Sequence, residues 1–433
     1  MTPQSGFMIL ASIAGPREAE LRALLESMNQ APGQVHAENP LVPFTRFRQV
    51  HFARFVILDD PTLADAVAGG GPRPGYPLYL AFLGDIDGDE ASFLDELVSV
   101  AGPGLRTIFA CCEDFPPEAD LRDWLQRHRT RAVASYVNCR GRTVQQVREE
   151  QMLRDAVVRH ITDNKIAFAG LAPRAVHARL RKFVKAEIAV GRLTLSHPEP
   201  TPFGWAVRNL LHLVGLPLGL LILSPLWIWT VPIVAWRLRQ LEKTDPDPLI
   251  RVDRQYAQTL AAGEDHDVTN QFSAIGTVKP GWVRQVTAVG VHLVIDYAAR
   301  HIARPGRLGR IRSIHFARWV FLDNRRRLAF FSNYDGSVAA YMDDFINKTG
   351  FGLNMSFSNG VGYPRTNWLL FAGCADERKF VEFERRRTLP TQVWYKAYPG
   401  LTAVDLERNT LLRHGLDAAD LDDDQAREWV ALL

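Results

Sequence analysis

The sequence predicts an α+β fold built from two copies of one unit, ordered strand, helix, strand, strand, helix, strand, with a helical segment inserted between the copies. Three observations predict it. The nonapeptide VHFARFVIL at 50–58 returns as IHFARWVFL at 314–322. Each is followed by a second β-rich run that ends in Asp-Gly, at Asp87-Gly88 and at Asp335-Gly336. Between the copies lies a run of 28 residues, 209–236, without a charged side chain. Repetition kept in order over a long period marks duplicated structural units.

In the first copy, FMILASI at 7–13 is a β-rich run before Gly15-Pro16, and Leu21, Leu24, Leu25 and Met28 follow at helical spacing. VHFARFVIL is the second strand and LYLAFL at 78–83 the third, ended by Gly84-Asp85-Ile86-Asp87-Gly88. Phe93, Leu94 and Leu97 mark a helix over 90–100, and 107–112 is a candidate fourth strand. In the second copy QFSAIGTV at 271–278, a helix to about residue 300, IHFARWVFL and LAFFSNYD at 328–335 take the same places. Asp87 and Pro116 are 29 residues apart, as are Asp335 and Pro364. Tyr136 and Tyr395 each stand 17 residues ahead of a Leu-Arg pair, at Leu153 and Leu412. The division expected is 1–143, a helical insertion over 144–269, and 270–433.

The insertion holds an Arg- and Leu-rich helical stretch over 144–190, with Leu180, Phe183 and Val184 on its apolar face, a linker at 196–202 and then the uncharged run. Twenty-eight residues exceed the roughly 20 needed to cross a bilayer, yet Pro217, Pro225 and Pro232 interrupt them, and interior prolines bend helices. A single crossing would put the two copies on opposite sides of the membrane, where they could not pair. The run is therefore expected to return, as a re-entrant hairpin bent at Ser224-Pro225 or as two helices in the interface; a buried helix pair in a soluble protein is the alternative. Arg208, Arg237 and Arg239 flank it, and basic flanks favour the cytoplasmic side. Trp205, Trp227, Trp229 and Trp236 suit an interfacial belt. The expected location is the cytoplasmic face of the membrane, peripheral or monotopic.

Lys+Arg exceed Asp+Glu by only three, 51 against 48, so no overall charge recruits nucleic acid. Locally, 300–327 carries nine arginines against Asp323 alone, a patch that can attract anionic headgroups or simply be solvated. Cys111, Cys112, Cys139 and Cys374 show neither paired CxxC spacing nor a histidine at zinc-finger distance. No P-loop, HExxH or GxSxG pattern is present, which removes the usual support for P-loop kinase, zinc-protease and α/β-hydrolase readings. The N-terminal apolar run lacks a basic flank and reads as a strand rather than a signal peptide.

The predicted element order is that of the ferredoxin-like unit. Two such units in one chain resemble the dimeric α/β-barrel superfamily, whose paired sheets face a shared interior. Members with both halves in one chain include the dye-decolorizing peroxidases and the related chlorite dismutases, and the words HFAR, NYDGS and GYPR are similar to those of a bacterial protein family. The resemblance implies a haem peroxidase-type oxidoreductase. Residues 84–88 spell GxxDG, whose Asp in the peroxidases lies on the distal haem side; the second copy departs from it with Ser332, and no residue is assigned as proximal ligand.

Asymmetry between copies points to the second one as the site. His315 and Arg318 lie on opposite faces of a regular strand, so one can line the space between sheets while the other packs at the helix layer or pairs with a carboxylate. His315, Arg318, Asn333 and Asp335 are the candidate catalytic residues, although a histidine present in both copies also fits a structural role. Tyr334, Asn359, Tyr363 and Arg365, with Trp394, Tyr395 and Tyr398 as an aromatic wall, are the candidate substrate contacts. Glu264-Asp265-His266-Asp267 has metal-ligand chemistry, but four adjacent residues on a loop cannot all converge on one ion. The leading expectation is a membrane-associated oxidoreductase acting on a lipophilic molecule. Its rivals are a non-catalytic protein binding membrane lipid or a partner, and a cofactor-free enzyme of the same fold.

Overall fold

A computed structural model describes residues 1–68, 75–303 and 306–433. It is mixed α+β, 51% helix and 19% strand. The first copy runs β1 (Gln4–Ser12), α1 (Glu18–Ser27), β2 (Val50–Leu58), β3 (Tyr79–Asp87), α2 (Glu90–Phe109), α3 (Leu121–Arg127) and β4 (Ala134–Val137). Then follow α4 (Val144–Asp163), α5 (Pro173–Ala189), α6 (Phe203–Ile222) and α7 (Ser224–Thr244). The second copy repeats the order as β5 (Thr269–Thr277), α8 (Trp282–Tyr297), β6 (Ile314–Leu322), β7 (Arg327–Asp335), α9 (Val338–Phe357), α10 (Glu377–Arg387) and β8 (Val393–Lys396), before α11 (Ala403–Asp417) and α12 (Asp423–Val430).

Two antiparallel four-stranded sheets result, ordered β1-β3-β2-β8 and β4-β6-β7-β5. Each takes its fourth strand from the other copy. Val393 to Lys396 pair with Phe55 to Phe52, and Ala134 to Val137 pair with Trp319 to Phe316. Every residue of β2 is buried, which explains its near-continuous apolar run, since a central strand covered on both faces needs no polar alternation. Met8, Val56, Leu58, Ala81 and Leu83 of one sheet meet Ile275, Val320, Leu322, Ala329 and Phe331 of the other in one apolar layer. The sheets thus face each other across that layer, but none closes into a barrel.

Three local expectations are corrected. The stretch 107–112 is not a strand: Thr107 to Phe109 end α2, which runs through Pro103. A proline costs a helix one hydrogen bond, and here Leu97, Ala101, Leu105 and Ile108 keep the buried stripe going on either side of it. The fourth strand is β4, supplied to the opposite sheet. Finally, the third strand does not stop at Leu83: Gly84 to Asp87 are the last residues of β3, as Ser332 to Asp335 are of β7, so Asp85 and Asn333 stand on strands.

The insertion packs chiefly against the end of the chain: Leu153, Val157, Leu180 and Val184 join Leu412, Leu416 and Trp429 in a separate apolar cluster. The uncharged run forms α6 and α7, which meet at Leu223 with Pro225 in the first turn of α7. Pro217 and Pro232 lie within the helices. Both arms return to the second copy. On α6, Asn209 accepts from Arg300 Nε at 2.9 Å, His212 Nδ1 meets His301 Nε2 at 2.8 Å, and the Leu213 carbonyl accepts from Tyr297 at 3.0 Å. At the end of α7, the fully buried Glu242 accepts from Thr366 Oγ1 and from the amides of Trp368 and Leu369 at 2.8–2.9 Å. The run leaves and rejoins one body, at opposite ends of α8.

Candidate functional site

Between the sheets the two HFAR arginines cross over to each other's copy. Arg54 Nη1 donates to the Phe272 carbonyl at 2.9 Å and Nη2 to that of Ser332 at 3.0 Å, with Asn333 Oδ1 as a further acceptor. Arg318 does the same in mirror: Nη1 to the Phe7 carbonyl at 2.8 Å, Nη2 to that of Gly84 at 2.7 Å, and on to the Asp85 carboxylate. Phe7 is paired with Gly84 and Phe272 with Ser332, so each guanidinium bonds the same two-strand step of the opposing sheet. Burial presses Arg54 down to about 9, opposed by Asp85 and aided by Arg318; the guanidinium remains charged at neutral pH. Asn333 Nδ2 donates to Asp85 Oδ2 at 3.2 Å and its Oδ1 accepts from Trp394 Nε1 at 3.3 Å. Arg318 bonds the one carboxylate directly and Arg54 reaches it through Asn333, the second copy offering an amide where the first has Asp85.

The histidines belong to a different arrangement. Both strands bulge where HFAR begins, between Val50 and Phe52 and between Ile314 and Phe316. The ring of His51 places Nε2 2.9 Å from Asp87 Oδ1, and that of His315 places Nε2 2.7 Å from Asp335 Oδ1. The other carboxylate oxygen accepts the first amide of the following helix, Val144 on α4 and Ala403 on α11, at 2.8 and 2.7 Å. Each aspartate so ties a central strand to a helix N-terminus, where a carboxylate is favoured. His51 Nδ1 also meets the Tyr398 hydroxyl at 3.1 Å, whereas His315 Nδ1 has no partner among the described residues. Duplicated and buried, the pairs are structural clamps in form.

Of the sequence-predicted residues, Arg318, Asn333 and Trp394 meet in the inter-sheet layer, His315 and Asp335 in one clamp, and Tyr398 at the other. The rest are elsewhere. Tyr334 stacks on Tyr341 at 3.9 Å, on the helix side of its sheet, and Tyr395 stacks on Phe44 at 5.0 Å. Tyr363 is buried, donating to Asn354 Oδ1 at 2.8 Å, and burial holds its hydroxyl well above the usual range. Arg365 donates to the Asp245 carbonyl after α7, and Asn359 lies under α8. No single substrate pocket gathers all seven. Arg54 and Asp85 were missed by weighting the second copy, although Arg54 stands in the same tetrapeptide as His51. The acidic loop is dispersed over separate partners: Glu264 pairs with Arg385, Asp265 with Asn270, Asp267 with Lys396, and His266 with the Ala262 carbonyl.

The residues between the sheets do not fit a haem as they stand. The space beside Arg54, Asp85, Arg318 and Asn333 amounts to about 10 Å³, room for one water at most. His315, fully buried, has Nε2 engaged by Asp335 and Phe52 packed 5.4 Å away, centroid to centroid.

The largest unsatisfied feature is apolar. No residue of α6 is buried, and its apolar window has a mean hydropathy of 1.5. Leu211, Leu221 and Ile222 on this helix, and Leu226, Trp229 and Ile233 on α7, are each at least 64% exposed. Trp205 lies part-buried at the base, under the Arg300 guanidinium, while Trp227 and Trp236 are exposed. The outer side of the adjoining α8 continues the surface with Trp282, Val286, Leu293 and Val294 exposed. Comparison with known proteins adds no family: no family model, curated protein or solved structure matches this chain.

Proposed function

We propose that the chain is a membrane-associated, non-catalytic lipid-binding protein. In this reading a body of two paired ferredoxin-like repeats sits on the cytoplasmic face of the membrane and dips α6 and α7 into the bilayer as a monotopic anchor. The observation that carries the proposal is the unburied apolar surface of α6 and α7, far longer than the scattered apolar side chains that water tolerates. Three further features support it. Both arms dock on one copy, as a returning segment requires. The segment that docks α6 is basic, Arg300 bonding Asn209 and Arg307, Arg310 and Arg312 following it in sequence, and such residues near an anionic lipid surface favour it by about 1 kcal/mol each. Indole rings stand along the run, where interfacial tryptophans partition.

Flotation of the purified chain with liposomes tests this. It should rise with phosphatidylglycerol-containing vesicles and less with phosphatidylcholine alone, and Leu221→Asp with Trp229→Asp should leave it at the bottom of the gradient. A wild-type chain that stays at the bottom with both vesicle types, or a double variant that floats as well as the parent, would overturn the anchor. A Soret band in the purified protein would instead favour a haem oxidoreductase using a lipophilic substrate.

A further inference from the structure

The two copies differ most in the layer between sheet and helices. Backbone bonds fix the correspondence there without reference to side chains. The Ala14 amide donates to the Cys111 carbonyl as Lys279 does to Asn359, and Thr130 to Met8 as Leu389 does to Ser273. Thus Cys111 answers to Asn359, Ile108 to Ser356, Leu125 to Glu384 and Ile9 to Ala274. In the first copy all four side chains are fully buried and apolar. In the second, a large residue is cut to alanine and three apolar residues become polar, at 2–4% exposure for Ser356, Asn359 and Glu384.

A cavity of about 30 Å³ opens where Ala274 replaces Ile9, lined by Ala274, Ala288, Phe330, Asn359, Glu384 and Arg387 among others. Three polar atoms of these residues have no hydrogen-bond partner among the described residues: Glu384 Oε1, Asn359 Nδ2 and Arg387 Nε. Gly276 admits the guanidinium, since a Cβ there would stand 3.1 Å from Arg387 Nε. Unpaired buried polar groups cost about 1–3 kcal/mol each, and leucine at the same place in the first copy shows that the layer closes without them.

One acceptor and two donors around an otherwise apolar space are the complement of a single hydroxyl group, which donates once and accepts twice. We propose that this cavity is a binding subsite for a neutral molecule bearing a hydroxyl on a short aliphatic group, the hydroxyl donating to Glu384 and accepting from Asn359 and Arg387. The volume admits a ligand portion of about two heavy atoms, since one water needs roughly 10–15 Å³ on this measure. Methanol or ethanol is therefore the probe of choice. The site is independent of the membrane anchor.

The test is titration of the full-length chain in lipid nanodiscs, labelled at alanine methyls, with ethanol. Ala274 and Ala288 should shift saturably while Ala81 and Ala101 do not, and Ala274→Ile, the first copy's residue, should abolish the response at Ala288. Glu384→Leu, which removes the acceptor, should weaken saturation at both methyls. Non-saturating shifts spread over all alanines would mean a solvent effect only. No shift at Ala274 and Ala288 would mean that the cavity holds water alone, and saturation unchanged in both variants would place the ligand elsewhere. Each of these three results overturns the proposal.

Discussion

Glu384 and Arg318 show how differently a buried charge can be held. Burial raises the Glu384 carboxyl to about 7, with Arg387 opposing. A folded-state value above the unfolded one means that its contribution is fully present below about pH 4.5 and is lost as pH rises through about 7. Urea unfolding at pH 5 and pH 8 should therefore show a smaller stability loss on alkalisation in Glu384→Gln than in the parent; equal losses would mean that the group is solvated or paired. Arg318 is satisfied on every side, and Gly6 is glycine because a Cβ there would lie 2.6 Å from its Nη2. Arg318→Leu strips that network and strands Asp85, so it should cost about 3–5 kcal/mol by denaturant unfolding, and a cost under 1 kcal/mol would deny the cross-sheet bonds their role. Alternation along a regular strand sets His315 and Arg318 on opposite faces, but the bulge between Ile314 and Phe316 breaks that alternation at His315, which meets Asp335 two residues from Asn333, so the partners of the two were not legible from it. That Glu384 faces a cavity was not legible either, because nothing in ERKFVEFERRR distinguishes a buried glutamate from the exposed acids around it.

Among the elements, those legible in the sequence are the ones whose pattern is local. The HFAR strands and the Asp-Gly strand ends needed only neighbouring residues, while the return of the uncharged run near Ser224 followed from the repeat, whose copies must lie on one side to pair. The extension of α2 through Pro103 did not follow, because propensity says stop and only tertiary burial of Leu105 and Ile108 says continue. The aspartate clamps were half legible: equal spacing showed the pair, but that each carboxylate reaches a helix amide depends on contacts 57 and 68 residues away. Asp335→Ala should cost about 2–4 kcal/mol, combining a lost helix-terminal hydrogen bond with an unpaired buried imidazole; Asp87→Ala should cost a similar amount. Thermal unfolding of the two variants checks this, and a near-zero effect in either would break the equivalence of the copies. In α6 and α7, Trp227 and Trp229 should be quenched by bromine-labelled acyl chains in vesicles, whereas Trp124, buried under α2, should be unaffected in single-tryptophan variants.

The whole molecule is held together by exchange. An element string shows that β4 follows α3 and β8 follows α10, but not that each joins the other copy's sheet, because pairing partners are set by edges that exist only once both sheets are formed. That exchange, the crossed arginines and the layer from Met8 to Leu389 make the copies one cooperative body, and the cluster joining α4 and α5 to α11 and α12 binds the insertion to the end of the chain. A consequence separates this arrangement from two independent domains. Cutting the chain in the exposed linker after Glu199 leaves β4 on one fragment and β8 on the other, each the fourth strand of a sheet otherwise made by its partner. Co-expressed as 1–199 and 200–433, the pieces should purify as a 1:1 complex in detergent and melt in a single transition, while neither alone should show protected amides in its three-stranded sheet, whose bare edge invites aggregation. If 1–199 alone folds as a stable monomer and does not bind 200–433, the copies are autonomous and the exchanged strands contribute little to their union.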